Sequence, residues 1–86
     1  MDINELIAIV KKKLTDQFDI ERIKIEDKSF LHKNHAGNQE GRYHLKIVMT
    51  SSELKALSRI ESNKRVYKIL DKEIKEHLHS IQILIS

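Results

Sequence analysis

Tyr43-His44-Leu45-Lys46-Ile47-Val48-Met49 is the stretch from which the architecture follows. Tyrosine, leucine, isoleucine and methionine alternate in it with histidine, lysine and valine, and this period of two residues is typical of a β-strand with one buried face. Residues 22–26 and 81–85 show the same alternation, with an isoleucine at every second position. The sequence therefore predicts three strands.

Helical spacing precedes the first strand. Apolar residues recur at positions 3, 6, 7, 10 and 14, and Asp2 with Glu5 matches a helix start whose side chains bond the free amides. We predict a helix from about residue 3 to residue 16.

Two further helix starts follow the central strand. Thr50-x-x-Glu53 and Ser58-x-x-Glu61 each match the capping-box pattern, which predicts a short helix and then a longer one. The longer helix is expected to direct Lys64, Lys68, Lys72 and Lys75 outward. Its buried positions are expected to be Val66, Ile69, Leu70, Ile74 and Leu78.

The element order is thus α-β-β-α-α-β, an α+β fold in which helices cover one face of a three-stranded mixed sheet. A chain of 86 residues has room for one modest core, so residues 1–86 are expected to form a single domain. The chain has no cysteine, which excludes a secreted module held by disulfides. Without a signal peptide or a membrane-length apolar run, a cytoplasmic protein is expected.

Positive charge is concentrated in the second half of the chain. Residues 1–43 carry eight basic and eight acidic side chains, whereas residues 44–86 carry eight basic and five acidic ones. This basic series indicates either a solvated helix face or a surface for an anionic partner.

Histidines mark the candidate site. His32 and His35 lie in a connection of about fifteen polar residues that also holds both glycines, and long loops of this kind are often functional. His79 stands at the start of the last apolar run, whereas His44 lies within a strand and is expected to be structural. Without cysteine, any soft-metal site here must use imidazole and borrow thiolate from another molecule.

Three motifs, in their order and spacing, resemble the BolA family over nearly the whole chain. Leu31-His32-x-x-His35-Ala36-Gly37 is similar to the family's His-Ala-Gly loop, and Tyr43-His44-Leu45-Lys46-Ile47 is similar to its central strand. Leu78-His79-Ser80-Ile81 resembles its junction of helix and last strand. One departure is Ser62-Asn63-Lys64, where relatives carry Arg-His-Arg.

The resemblance implies a fold similar to the type II KH domain and a partnership with monothiol glutaredoxins. In such complexes a bridging [2Fe-2S] cluster receives a cysteine and a glutathione thiolate from the glutaredoxin side. Carried over to this sequence, His79 is one ligand and His35 or His32 is the other, with His35 favoured. The chain is then a non-enzymatic adaptor in iron-sulfur trafficking or iron and redox regulation, a monomer when alone that holds no cluster by itself.

The alternative function is a DNA-binding transcriptional regulator that uses the basic helix. The contacts would come from Arg59, Lys64, Arg65, Lys68 and Lys72. KH-type RNA binding is disfavoured because no glycine for a Gly-x-x-Gly clamp lies between Thr50 and Ser86. Catalysis is also disfavoured, since no nucleophile-and-base set or phosphate-binding glycine loop is present. Membrane binding is not expected.

Overall fold

The computed structural model describes residues 2–29 and 42–86. His32, His35 and both glycines lie outside these ranges. The elements are α1 (Ile3–Gln17), β1 (Arg22–Asp27), β2 (Tyr43–Thr50), α2 (Ser52–Lys55), α3 (Arg59–Ile69), α4 (Asp71–Glu76) and β3 (Leu78–Ile85).

The three strands form one mixed sheet with β2 in the centre. β1 pairs with β2 antiparallel, with Ile25 opposite Ile47, and β3 pairs with β2 parallel, with Ile83 opposite the same residue. A parallel pair needs a long crossover connection, which the helices α2 to α4 supply. The predicted three-stranded mixed sheet is confirmed.

One face of the sheet supplies the core. Leu45, Ile47 and Met49 of β2 are each at most 2% exposed, as their alternation predicts. Burial of each large apolar side chain stabilises the fold by about 1.5–3 kcal/mol. The three residues pack in one cluster with helix residues that are fully buried. These helix residues are Leu6, Val10, Leu14, Val66 and Leu70. The side chains of His44, Lys46 and Val48 alternate with the core positions and so lie on the opposite face.

The start of α1 is as predicted. Asp2 is the N-cap, and its Oδ1 accepts a hydrogen bond of 2.8 Å from the backbone N–H of Glu5. The helix ends at Gln17, one residue beyond the predicted end, where Phe18 turns to an extended conformation. Its N–H still bonds the carbonyl of Leu14, which closes the last turn.

The predicted capping box at Thr50 is wrong by one residue. Thr50 is the last residue of β2, and the N-cap of α2 is Ser51, whose Oγ accepts from the N–H of Leu54 at 3.2 Å. The serine is selected because it is fully buried and its hydroxyl also donates to the carbonyl of Asp19 at 2.7 Å. The second prediction holds: Ser58 caps α3 through the N–H of Glu61.

Ser51→Ala is expected to lower the free energy of unfolding by about 1–2 kcal/mol, because it removes the helix cap and leaves the carbonyl of Asp19 without its donor. Thr50→Ala is the matched control, since Thr50 is exposed and its hydroxyl lies 3.2 Å from the hydroxyl of Ser86 at the surface. Urea denaturation measures both. A larger loss at Thr50 than at Ser51 would contradict the assignment.

The predicted single long helix is also wrong, because it is divided at Leu70. Leu70 is the C-cap of α3 and the N-cap of α4, with φ −97° and ψ 14°. Val66 and Leu70 are buried as predicted, but the next buried position is Glu73, and Ile74 is only half-buried. Leu78 is buried as well, although it begins β3 instead of ending a helix.

Glu73 is buried because Lys13 of α1 lies opposite it. The Lys13 Nζ contacts both carboxylate oxygens of Glu73, at 2.9 and 2.7 Å. The two side chains are 37% and 6% exposed, so this ion pair joins α1 to α4 with the carboxylate buried and the ammonium group partly exposed to water.

Candidate functional site

An irregularity in the sheet sets the position of His79. Tyr43 pairs with Leu78, but the next residue of β2, His44, pairs with Ser80. β3 therefore contains one extra residue, His79, in a β-bulge. Bulges redirect side chains at the ends of sheets, and His79 is exposed.

The imidazole of His79 packs against that of His44. The ring centroids are 4.8 Å apart and the ring planes are inclined by 31°. His44 is only 4% exposed, and its Nδ1 lies 2.7 Å from the Oγ of Ser80, a hydroxyl that can serve either tautomer. This burial and bonding agree with the expectation that His44 has a structural role.

The residues that follow β1 bond both backbone groups of His44. Its N–H donates to the Oγ of Ser29 at 3.1 Å, and its carbonyl accepts from the N–H of Lys28 at 2.7 Å. We call this end of the sheet, residues 43, 44 and 78–80, the sheet corner. On its β3 side, the N–H of Tyr43 donates to the carbonyl of His77 at 2.9 Å. The corner that carries His79 is thus a well-connected part of the fold.

Ser29 and Arg42, which flank residues 30–41 in the sequence, both lie at this corner. Ser29 contacts His44, and the Nη1 of Arg42 lies 3.4 Å from the carbonyl of Leu78. The predicted ligands His32 and His35 lie outside the described residues, so their approach to His79 stays a prediction.

His77, the other histidine near the last strand, is placed differently. It is the C-cap of α4, and its Nε2 is 3.7 Å from the Oε2 of Glu76. Within residues 2–29 and 42–86, no three His, Cys, Asp or Glu side chains converge in a way that could hold a metal ion.

The structure divides the five residues of the predicted nucleic-acid surface. Lys64, Arg65 and Lys68 line one shallow depression together with Glu53 and Glu61. The Nε of Arg65 lies 3.3 Å from the Oε1 of Glu61, which partly neutralises this surface.

The other two residues of the predicted surface do not line this depression. Arg59 lines a separate depression, which it shares with Lys55, Asn63 and the end of β3. Lys72 is exposed on α4 and lines neither depression. The five cations therefore do not all line one depression.

Ser80 and Ser29 are site residues that the sequence reasoning did not identify. Both act on His44 through hydrogen bonds that span 36 and 15 residues of the chain. Ser80 contacts His44 because the register of β2 with β3 places the two residues opposite each other.

Comparisons with known proteins agree with the fold. A family model described as "BolA-like protein" matches residues 14–86. The "DNA-binding transcriptional regulator BolA" of Haemophilus influenzae is 25% identical over 75 residues, which cover 87% of this chain and 70% of that protein. "SufE-like protein 1, chloroplastic/mitochondrial" of Arabidopsis thaliana is 25% identical over 80 residues, but the match spans only 22% of its length.

Solved structures have the same fold. The BolA domain of SufE1 from Arabidopsis thaliana superposes with a TM-score of 0.77 at 24% identity, covering 92% of this chain and 87% of that one. BolA1 from Mus musculus gives a TM-score of 0.74 at 20% identity, with coverage of 92% and 62%. None of the helices in the described ranges combines the length and apolarity needed to cross a bilayer. By the family match, the fold and the motifs at its sheet corner, the chain belongs to the BolA family.

Proposed function

We propose that this protein is a non-enzymatic BolA-like adaptor that binds a monothiol glutaredoxin and shares a bridging [2Fe-2S] cluster with it. Its role is in iron-sulfur cluster trafficking or in iron and redox regulation. The observation that supports this most directly is the exposed imidazole of His79, which the bulge lifts out of the strand pairing in a chain that has no cysteine.

The residues present fit half of such a site. An exposed histidine can ligate iron without rearrangement of the core, whereas the thiolates must come from the partner's cysteine and from glutathione. Mixed imidazole and thiolate ligation is established for [2Fe-2S] centres, where it raises the reduction potential relative to all-thiolate clusters. His79 therefore supplies one nitrogen ligand, and the partner's cysteine and glutathione supply the sulfur ligands.

The second nitrogen ligand in this proposal is His35, with His32 as the alternative. Both belong to the segment between Ser29 and Arg42, and these two residues contact the corner that presents His79. A ligand from this segment thus has its point of attachment close to the first ligand.

Reconstitution tests the proposal. The protein is mixed with a monothiol glutaredoxin, ferrous iron, sulfide and glutathione, and the product is separated by size and examined by visible circular dichroism. We expect a heterodimer whose cluster spectrum differs from that of the glutaredoxin homodimer prepared without this protein. Recovery of the homodimer spectrum alone, with this chain eluting separately, would contradict the proposal.

DNA binding is a second candidate function. Two relatives, from Haemophilus influenzae and Vibrio cholerae, are named DNA-binding transcriptional regulators. Lys64, Lys68 and Lys72 are exposed, and none has a carboxylate within ion-pair distance among the residues that the structure describes. With Arg65 they provide four cations for phosphate contacts.

If these four cations bind duplex DNA, the logarithm of the association constant should fall with the logarithm of salt concentration at a slope of about −3 to −4. Lys64→Glu/Lys68→Glu should weaken binding strongly, whereas Lys11→Glu on the exposed side of α1 should have little effect. Fluorescence anisotropy with a short duplex measures both. An affinity that does not change with salt, or equal effects of the two variants, would argue against this surface.

A further inference from the structure

We propose that His44 is a positioning residue for His79: its buried ring, fixed by Ser80, is the platform that holds the imidazole of His79 in the orientation needed for iron ligation. This inference rests on the proposed function of His79. It assigns a role to a histidine that is not itself a ligand.

The geometry of the two rings carries the first step. A centroid distance of 4.8 Å lies within the range in which aromatic rings attract one another, and the tilt of 31° is that of an inclined stack. An exposed histidine without such a contact would sample several rotamers, and binding would have to order it. Packing on His44 already restricts the ring in the free protein, so His79 loses less conformational entropy when the partner binds.

The second step is that the platform itself does not move. The ring of His44 is buried, its Nδ1 is 2.7 Å from the Oγ of Ser80, and its backbone N–H is bonded to Ser29. Ser80 directly follows His79 in the chain. His44 therefore contacts the ring of one residue of the bulge and the hydroxyl of the next, which fixes both relative to β2.

The third step concerns what the bulge would do without His44. An extra residue in a strand has no pairing partner of its own, so its side-chain direction depends on local contacts. Residues that orient metal ligands without touching the metal commonly change metal affinity 10- to 100-fold when they are replaced. His44 has the location and the rigidity for this effect.

The first test uses the protein alone. Nuclear magnetic resonance measures the three-bond couplings that report the χ1 angle of His79 in the wild type, His44→Ala, His44→Phe and Ser80→Ala. We expect one dominant rotamer in the wild type and in His44→Phe, which keeps a ring, but averaged couplings in His44→Ala. Ser80→Ala, at an exposed position, should give partial averaging even if His44→Ala does not fold. Wild-type couplings in a folded His44→Ala would overturn the proposal, and where His44→Ala does not fold, wild-type couplings in Ser80→Ala would overturn it.

The second test uses the reconstituted heterodimer. With a chelator present, the His44→Ala complex should release iron about tenfold faster than the wild-type complex. The His44→Phe complex should release iron at a rate close to that of the wild type. Equal release from all three complexes would overturn the positioning role. The two claims can fail separately. An intact heterodimer spectrum in His79→Ala would contradict the assignment of His79 as a ligand. The couplings of His79 in the free protein test independently whether His44 orients its ring.

Discussion

His79→Ala is expected to abolish the heterodimer-specific cluster spectrum and to leave the spectrum of the glutaredoxin homodimer. The imidazole is the nitrogen ligand in the proposed site, and alanine offers no replacement for it. Visible circular dichroism after reconstitution measures the change. Because His79 is exposed and has no pairing residue in β2, the fold itself should tolerate the substitution, with a change in unfolding free energy within about 0.5 kcal/mol.

His77→Ala is the matched control, since His77 lies two residues earlier and at the end of α4, beside Glu76. It should keep the wild-type spectrum. Loss of the spectrum in both variants would indicate a general effect on partner binding, and an unchanged spectrum in His79→Ala would contradict the ligand assignment. Separate substitutions of His32 and His35 then identify the loop ligand, with the larger effect expected for His35.

Lys13→Ala is expected to destabilise the protein by about 2–3 kcal/mol, which corresponds to a fall of roughly 10–20 °C in Tm for a domain of this size. The substitution leaves the carboxylate of Glu73, only 6% exposed, without its cation. The effect is set below that of a fully buried pair because Lys13 is itself 37% exposed, so water can partly replace it. Thermal and urea unfolding measure the change.

Two variants test whether the unpaired carboxylate of Glu73 causes the loss. Lys12→Ala removes the exposed pair with Asp16 and should change stability by less than about 0.5 kcal/mol. Lys13→Met/Glu73→Met replaces both charges with apolar groups of similar length and should recover to within about 1 kcal/mol of the wild type. A double variant as unstable as Lys13→Ala would contradict this account, because it has neither an unpaired carboxylate nor a shortened side chain.

The strands and the first helix were predictable because their signals are local. Alternation in residues 43–49 reports burial on one face of a strand, and the structure buries Leu45, Ile47 and Met49 accordingly. Asp2 caps α1 through a bond to a residue three positions away, a distance that a sequence pattern can cover. Local spacing also placed Val66 and Leu70 in the core.

The predictions that were wrong concern positions whose structure depends on residues far away in the sequence. Thr50 and Ser51 are adjacent hydroxyl residues, and the carbonyl of Asp19 selects the second as the cap. Glu73 takes the buried position in preference to Ile74 because Lys13, sixty residues away in sequence, neutralises it. Neither contact can be predicted from the local sequence pattern.

The candidate site was likewise only partly predictable from the sequence. His79 was identified through the family resemblance, since an isolated histidine at the start of a strand carries little information alone. Its presentation by a bulge, its packing on His44 and the bond from His44 to Ser80 depend on the register of β2 with β3. Parallel register is set by the whole crossover connection, so the sequence could not predict it.

The central claim, that a histidine of this chain ligates a shared cluster, is tested most directly by isotope labelling. The protein is prepared with ¹⁵N-histidine, combined with unlabelled glutaredoxin and glutathione in the cluster-containing heterodimer, reduced, and examined by pulsed electron paramagnetic resonance. The account predicts strong nitrogen couplings at ¹⁵N frequencies, which disappear in His79→Ala. Nitrogen couplings at ¹⁴N frequencies alone, or none of ligand strength, would contradict it.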